Sequence, residues 1–262
     1  VIARYLSPVF SVIGLPGEAA IVFITSIMLS LYAPIAIIAT LPLDPRDVII
    51  LAVMCLIAHN MIVETAVQSK TGSRYITMFL LRIISAFVAA FFLNLLLPQT
   101  VETSQIAADA EVYQSFADML LAWLISSFWL IVKILLIVTS LMLLQNILKE
   151  FKILDVISRT LAPLMSLMGL PRNCSFLWFV AHILGLTYGS AVMIAEVESG
   201  ELSREDANLL NHHIAVNHST LEDTLLFAAI GVPLLWMIVP RFVLAIVIVW
   251  FVRLVHRLKL KP

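Results

Sequence analysis

Charge is what this sequence has least of. Lys and Arg number 16 and Asp and Glu 17 among 262 residues, so charged residues make up 13% of the chain, about half the roughly 25% of a soluble domain. An ordinary soluble enzyme is excluded, and no basic patch is present to hold nucleic acid. Cysteine is almost missing: Cys55 and Cys174 both lie in or beside apolar segments, with no CxxC pair, which excludes a disulfide framework and a Cys-based zinc centre. Both are expected to be small core residues. The 8 glycines form no phosphate-cradling loop. Short alternating strands are lacking too, which excludes a β-barrel.

What is there is hydrocarbon. Hydrophobic residues reach 61% with a mean hydropathy of +1.04. Apolar stretches recur at 17–41, 46–69, 74–97, 113–148, 172–197, 203–230 and 232–258, each long enough for a helix to cross about 30 Å. The expected fold class is therefore an all-α polytopic membrane protein. Val1 stands first, with neither an initiator Met nor a signal-peptide pattern, so the numbered chain is expected to begin inside a longer one.

The chain also contains itself twice. "VIARYLSPVFSVIGLP" (1–16) laid over "VISRTLAPLMSLMGLP" (156–171) gives nine identities in sixteen at an offset of 155. The offset drifts to 158 where Arg46 meets Arg204 and Glu64 meets Glu222, and to 159 where Met78, Arg82, Ala86 and Phe92 meet Met237, Arg241, Ala245 and Phe251. Both halves share one plan: an amphipathic helix ending in Gly-Leu-Pro, a long apolar segment, a polar-centred helix and an Arg-bearing helix. Internal repeats of this kind are typical of transporter folds, and they predict a further helix before Val1 equivalent to 113–148.

The long segments 17–41 and 172–197 each have a turn-prone centre, "SLYAP" and "GLTYG", where Pro34, Gly185 and Gly189 weaken a continuous helix. If both crossed the membrane, seven basic residues would face six across it; as re-entrant hairpins they leave eleven on one side and only Arg4 and Arg46 on the other. The positive-inside bias selects hairpins. Three crossings then separate the two repeats, an odd number, so the repeats are expected to be inverted. Asp44 before Pro45, and Ser203 with Asp206 three residues on, read as helix starts. The acidic loop bearing Glu102, Asp109 and Glu111 falls outside, and the C-terminus "RLVHRLKLKP" in the cytoplasm.

Two polar clusters interrupt the hydrocarbon, "HNMIVETA" (59–66) and "NHSTLEDT" (217–224). Asn60 and Glu64 share a helix face, as do His218 and Glu222. The repeat pairs Asn60 with His218, Glu64 with Glu222 and Thr65 with Asp223. A lone charge at that depth costs roughly 2.5–3.5 kcal/mol, so such residues normally face a protein interior or an aqueous cavity. The expected substrate or ion site is Asn60, Glu64, Thr65, Asn217, His218, Ser219, Glu222, Asp223 and Thr224. Arg82, Lys133 and Arg241 are its charge partners, Lys133 as a counter-ion to Glu64 or Glu222, and Tyr32, Pro34, Thr187 and Tyr188 stand at the hairpin tips.

A structural polar cluster is the bland alternative, but two clusters matched under a repeat favour a binding site near midplane. A transition-metal site can be drawn from His213, His218, Glu222 and Asp223; the first repeat has Met54 and Cys55 where a matching histidine would be needed, so no metal ligand set is assigned. His182, whose counterpart is Ile27, reads as a satisfied interior residue. No nucleophile has a base, since His218 and Ser219 are adjacent and diverge; no catalytic residue or enzyme activity is expected.

The order of amphipathic helix, hairpin, polar broken helix and Arg-bearing helix, carried by "GLPGEAAIVF…SLYAPIAIIA", "AHNMIVETAVQSKTG", "LMSLMGLP" and "NHSTLEDTLLFAAIG", resembles the Gate, or nucleoside-recognition, family. That pattern is similar to concentrative nucleoside transporters, the membrane domain of bacterial ferrous-iron transporter B, and spore maturation membrane proteins. It covers residues 1–258. The iron transporters are similar around "APIAIIATLPL" but carry a Cys at the hairpin tip, which "SLYAP" and "GLTYG" lack. The resemblance to nucleoside carriers implies that Asn60, Glu64, Asn217 and Glu222 hold base and ribose.

The division expected is a first Gate repeat at 1–97, an outer loop and connecting transmembrane helix at 98–150, and a second, inverted repeat at 151–262. The expected function is a secondary-transporter-like carrier of a small polar or ionic solute by alternating access. A divalent metal-ion permease and a non-transporting scaffold or partner subunit are the alternatives. No cofactor is expected beyond a coupling H+ or Na+. The partners are the lipid bilayer and a small solute, with a homo-oligomer or membrane partner subunit left open and no nucleic acid, and the location is the bacterial inner membrane.

Overall fold

A computed structural model describes residues 2–99, 101 and 115–259, and among them every regular element is a helix. The loop with Glu102, Asp109 and Glu111 lies outside the described residues. The chain runs α1 (Ile2–Val12), α2 (Ala19–Met28), α3 (Tyr32–Ile38), α4 (Pro45–Ala58), α5 (Met61–Ser69), α6 (Tyr75–Leu96) and the long α7 (Phe116–Glu150). It continues through α8 (Ile153–Leu167), a short 3-10 turn (Arg172–Cys174), α9 (Ser175–Ile183), α10 (Gly185–Ser199), α11 (Arg204–Ile214), α12 (Glu222–Ala228) and α13 (Leu234–Lys259). Among the described residues, four stretches are long and apolar enough to cross a membrane: Pro45–Ser69, Tyr75–Leu96, Phe116–Glu150 and Leu234–Leu258.

Segments 17–41 and 172–197 are not continuous helices. The first breaks between Met28 and Tyr32, the second at Leu184 and Gly185. In the second the arms fold back on each other: a Cβ on Gly189 would stand 3.0 Å from the Cα of Ala181, whereas eight residues of straight helix span about 12 Å. Gly185 makes the reversal with a φ of 84°, in the left-handed region that side chains disfavour.

Element starts and stops follow local chemistry. α1 and α8 end on Gly14 and Gly169, both at φ 76°. The following residues close the turn, Leu15 N–H donating to the Phe10 carbonyl at 3.0 Å and Leu170 N–H to the Met165 carbonyl at 2.8 Å, a pattern that satisfies otherwise orphaned carbonyls. α4 starts with Pro45 in its first turn, behind Asp44. α11 starts where the Ser203 hydroxyl accepts from Asp206 N–H at 3.0 Å.

Burial separates the centre from the rim. α4 is apolar all round and every residue from Val48 to Ala58 is buried, as suits a helix enclosed by others. α7 is its opposite: Leu141 is its one buried residue among those described. Two polar clips tie α7 to the body, Lys133 Nζ donating to the Ala229 carbonyl at 3.0 Å and Gln145 Nε2 to the Ile183 carbonyl at 2.9 Å. Lys133 was expected beside a carboxylate; its ammonium instead satisfies a carbonyl at the end of α12, where the backbone leaves acceptors unpaired.

Candidate functional site

Two helix breaks build the site, and they are made alike. α4 stops at Ala58 and α5 resumes at Met61, with Asn60 between them at φ 45°. α11 stops at Ile214 and α12 resumes at Glu222, with Ser219 before it at φ 45°. Each break is stitched to its neighbouring helical pair. Asn60 N–H donates to the carbonyls of Ser26 and Leu29 at 2.9 and 3.0 Å, and Ser219 N–H to that of Ala181 at 3.0 Å. Backbone freed by interrupting a helix inside a membrane has to find such partners.

Within each break, immediately before the left-handed residue, stands a histidine oriented in the same way. His59 Nδ1 lies 3.2 Å from the Cys55 carbonyl and His218 Nδ1 2.7 Å from the Ile214 carbonyl. A carbonyl only accepts, so each Nδ1 carries a proton and each Nε2 is left facing inward. The two rings lie 5.1 Å apart, centroid to centroid. Arg82 and Arg241, both fully buried, reach the breaks from α6 and α13. Arg82 donates to the Ile57 and His59 carbonyls at 2.7 and 2.8 Å; Arg241 donates to the His218 carbonyl at 3.5 Å and the Thr224 hydroxyl at 3.0 Å.

These matched contacts place the repeat one residue from its expected register. His59 corresponds to His218, Asn60 to Ser219, Glu64 to Asp223 and Thr65 to Thr224, all at the 159 offset that relates Arg82 to Arg241. Glu64 therefore has Asp223, and not Glu222, as its counterpart. The two inward carboxylates meet the two histidines. Glu64 lies 3.4 Å from His59 Nε2 and 3.3 Å from His218 Nε2, and Asp223 lies 3.3 Å from His59 Nε2. Arg82 pairs with Glu64 at 2.7 Å.

Beside this cluster is a cavity of about 200 Å³. His59, Asn60, Glu64, Ser219, Glu222 and Asp223 line it from the two breaks. Ser30, Leu31 and Tyr32 close it from the first helical pair and Leu184, Gly185 and Leu186 from the second. Carboxylate and imidazole side chains converging on one concave space can bind a cation, a hydrogen-bonding solute, or both.

Of the residues expected at the site, Asn60, Glu64, Ser219, Glu222, Asp223 and Tyr32 line the cavity, and fully buried His218 joins through its Nε2 contact with Glu64. Glu222 is only half-buried and has no ion pair among the described residues. Thr224 holds Arg241, and Thr65 is buried with its hydroxyl unpartnered. Asn217 turns away: its amide lies 3.3 Å from His182 Nε2, and its carbonyl oxygen accepts from Thr220 at 3.3 Å. Pro34 is buried inside α3. Tyr188 is exposed, with the Lys149 ammonium 3.9 Å over its ring. Thr187 lies in the first turn of α10.

His182 is a satisfied interior residue as expected, its Nδ1 2.8 Å from the Trp178 carbonyl. His213 is buried among the rings of Trp178, His182 and Phe242, so the set His213, His218, Glu222 and Asp223 is not brought together. The missed residue is His59. Its signal was present: His59 and His218 stand 159 apart, the same offset as the two arginines. Cys55 and Cys174 are free and buried.

Residues 131–249 match the Gate family, described as nucleoside recognition. The chain is 35% identical over 250 residues to the protein of Bacillus subtilis (strain 168) titled "Uncharacterized membrane protein YvoD", an alignment covering 94% of this chain and 80% of that protein. No solved structure matches the chain. The broken helices, their convergence on one polar cavity, the family match and the extent of likeness to that membrane protein together identify the chain as a member of the Gate, or nucleoside-recognition, family of membrane proteins.

Proposed function

We propose that this membrane protein is a carrier that moves a small polar or ionic solute, nucleoside-like or otherwise, by alternating access. One observation carries the reading: both helix breaks and both neighbouring turns line a single cavity that holds two opposed carboxylates, Glu64 and Asp223. Alternating-access carriers place their sites at such an interface between repeats, with interrupted helices supplying the ligands. A non-transporting scaffold would gain nothing from a polar cavity at that place.

In this reading the two halves are inverted copies joined by α7, and the shorter helical pairs are re-entrant. The protein sits in the bacterial inner membrane with its C-terminus cytoplasmic. Glu64 and Asp223 contact the solute or a coupling H+ or Na+, Asn60 and Ser219 present polar groups at the breaks, and Glu222 stands at the cavity wall. No catalytic step is assigned to any residue.

The test is uptake into proteoliposomes from panels of nucleosides, organic acids and metal ions. Glu64→Gln and Asp223→Asn are each expected to abolish uptake of the transported solute, while the purified protein stays monodisperse in detergent. Wild-type uptake by both variants refutes the reading.

A further inference from the structure

We propose that His59, Glu64 and His218, with Asp223 beside them, form a binding site for a divalent first-row transition-metal ion. This rests on the carrier reading only in making the ion its cargo or coupling ion; the binding itself stands on geometry. Both Nδ1 atoms are committed as donors to carbonyls four residues back. Metal-ligating histidines are fixed in the same way, with the second ring nitrogen held on a carbonyl or carboxylate so that the lone pair of the first points at the ion. The two Nε2 atoms face no neutral donor. They face Glu64 and Asp223, at 3.3 to 3.4 Å.

Two Nε2 atoms set against two carboxylates need a positive charge between them, either a proton on each ring or a bound cation. The spacing suits an ion: ligands about 2.1 Å from a tetrahedral metal stand roughly 3.4 Å from each other, which is the separation of these pairs. One ligand atom from each of His59, Glu64 and His218 falls within 4.8 Å of the others, and all three residues are buried. Asp223, 3.3 Å from His59 Nε2, stands beside these three and lines the cavity through which an ion would enter. Arg82 holds the Glu64 Oε2 that faces His218, at 2.7 Å, which fixes the orientation of the carboxylate.

The donor set sets the class of ion. Two imidazoles with carboxylates favour Mn2+, Fe2+, Co2+, Ni2+ or Zn2+ over Mg2+ and Ca2+, which prefer all-oxygen shells. The Arg82 cation, paired with one of the two carboxylates, offsets part of their charge and weakens the hold on a dication. That suits an ion that is released on each cycle.

The test is titration of the purified full chain in detergent with Co2+, read by its visible d–d bands, with Mg2+ as control and Zn2+ as competitor. The wild type is expected to give intense bands of a four- or five-coordinate Co2+ that Zn2+ abolishes and Mg2+ does not. His59→Gln and His218→Gln are each expected to weaken binding by at least about 10- to 100-fold, the loss usual even for a residue that only supports a ligand. His213→Gln, in the separate aromatic cluster, should bind as the wild type does. If a His variant does not accumulate, Glu64→Gln carries the same reading.

A wild type whose Co2+ spectrum stays that of the aqueous ion overturns the proposal, as do variants with unchanged affinity. Uptake measured in parallel separates the two readings. Glu64-dependent uptake of a nucleoside or organic acid without Co2+ binding overturns the metal site alone, and Co2+ binding without uptake of any solute overturns the carrier alone.

Discussion

The two helix breaks share a skeleton and differ in where their arginine goes. At the first, Arg82 pairs with Glu64, and the Thr65 hydroxyl is left unpartnered. At the second, Arg241 takes the Thr224 hydroxyl, and Asp223 has no arginine within ion-pairing distance among the described residues. One carboxylate is thus locked in place by a buried cation, while the other touches only a histidine whose protonation can change. A nearly symmetric scaffold has been given one fixed and one adjustable charge.

The sharpest way to break this comparison is to remove the arginines. Arg82→Ala leaves Glu64 buried without its cation and is expected to cost about 3–5 kcal/mol, the usual penalty for stranding one member of a buried pair. Unfolding in detergent would measure it, and adding Glu64→Gln to the same chain should recover much of the loss. Arg241→Ala strands no carboxylate and removes hydrogen bonds to neutral groups, for an expected cost of about 1–3 kcal/mol. Equal losses in the two variants would remove the asymmetry.

Lys133→Met tests the clip between α7 and the end of α12. It leaves one carbonyl at the end of α12 unpaired, and the expected loss is about 1 kcal/mol, read as a lowered melting temperature. The smallest effect distinguishes the breaks themselves. Asn60 and Ser219 share the left-handed conformation, which costs most residues about 1–2 kcal/mol but is relieved for Asn by local hydrogen bonding. Ser219→Gly should therefore raise thermal stability by up to about 1 kcal/mol, whereas Asn60→Gly should change it little. Matching gains at both positions would mean the breaks are equally strained.

Much of this was legible in the sequence because hydrocarbon and repetition are coarse signals. Apolar runs located α6, α7 and α13, turn-prone centres located the interruptions near residues 30 and 185, and matched arginines located the partner of Glu64. The one-residue shift of the second break was harder. Glu222 and Asp223 are adjacent acids, and alignment alone pairs Glu with Glu; only the shared left-handed residues and the matched histidine bonds show that Asp223 points inward. That same shift hid His59, because at an offset of 158 its partner is Asn217. Lys133 misled for another reason: a long flexible ammonium can end on any acceptor in reach, and helix-end carbonyls lie outside any count of charged partners.

The length of α7 has a consequence for how the molecule sits in lipid. Its 35 residues would measure about 52 Å at 1.5 Å per residue, well beyond the roughly 30 Å of a bilayer's oily interior. The surplus has to be absorbed by slant or by turns that rise among the headgroups. Because the two clips on α7 end at Ile183 and Ala229, one at the turn of the second helical pair and one at the end of α12, a thicker or thinner bilayer pulls on the very segments that wall the pocket.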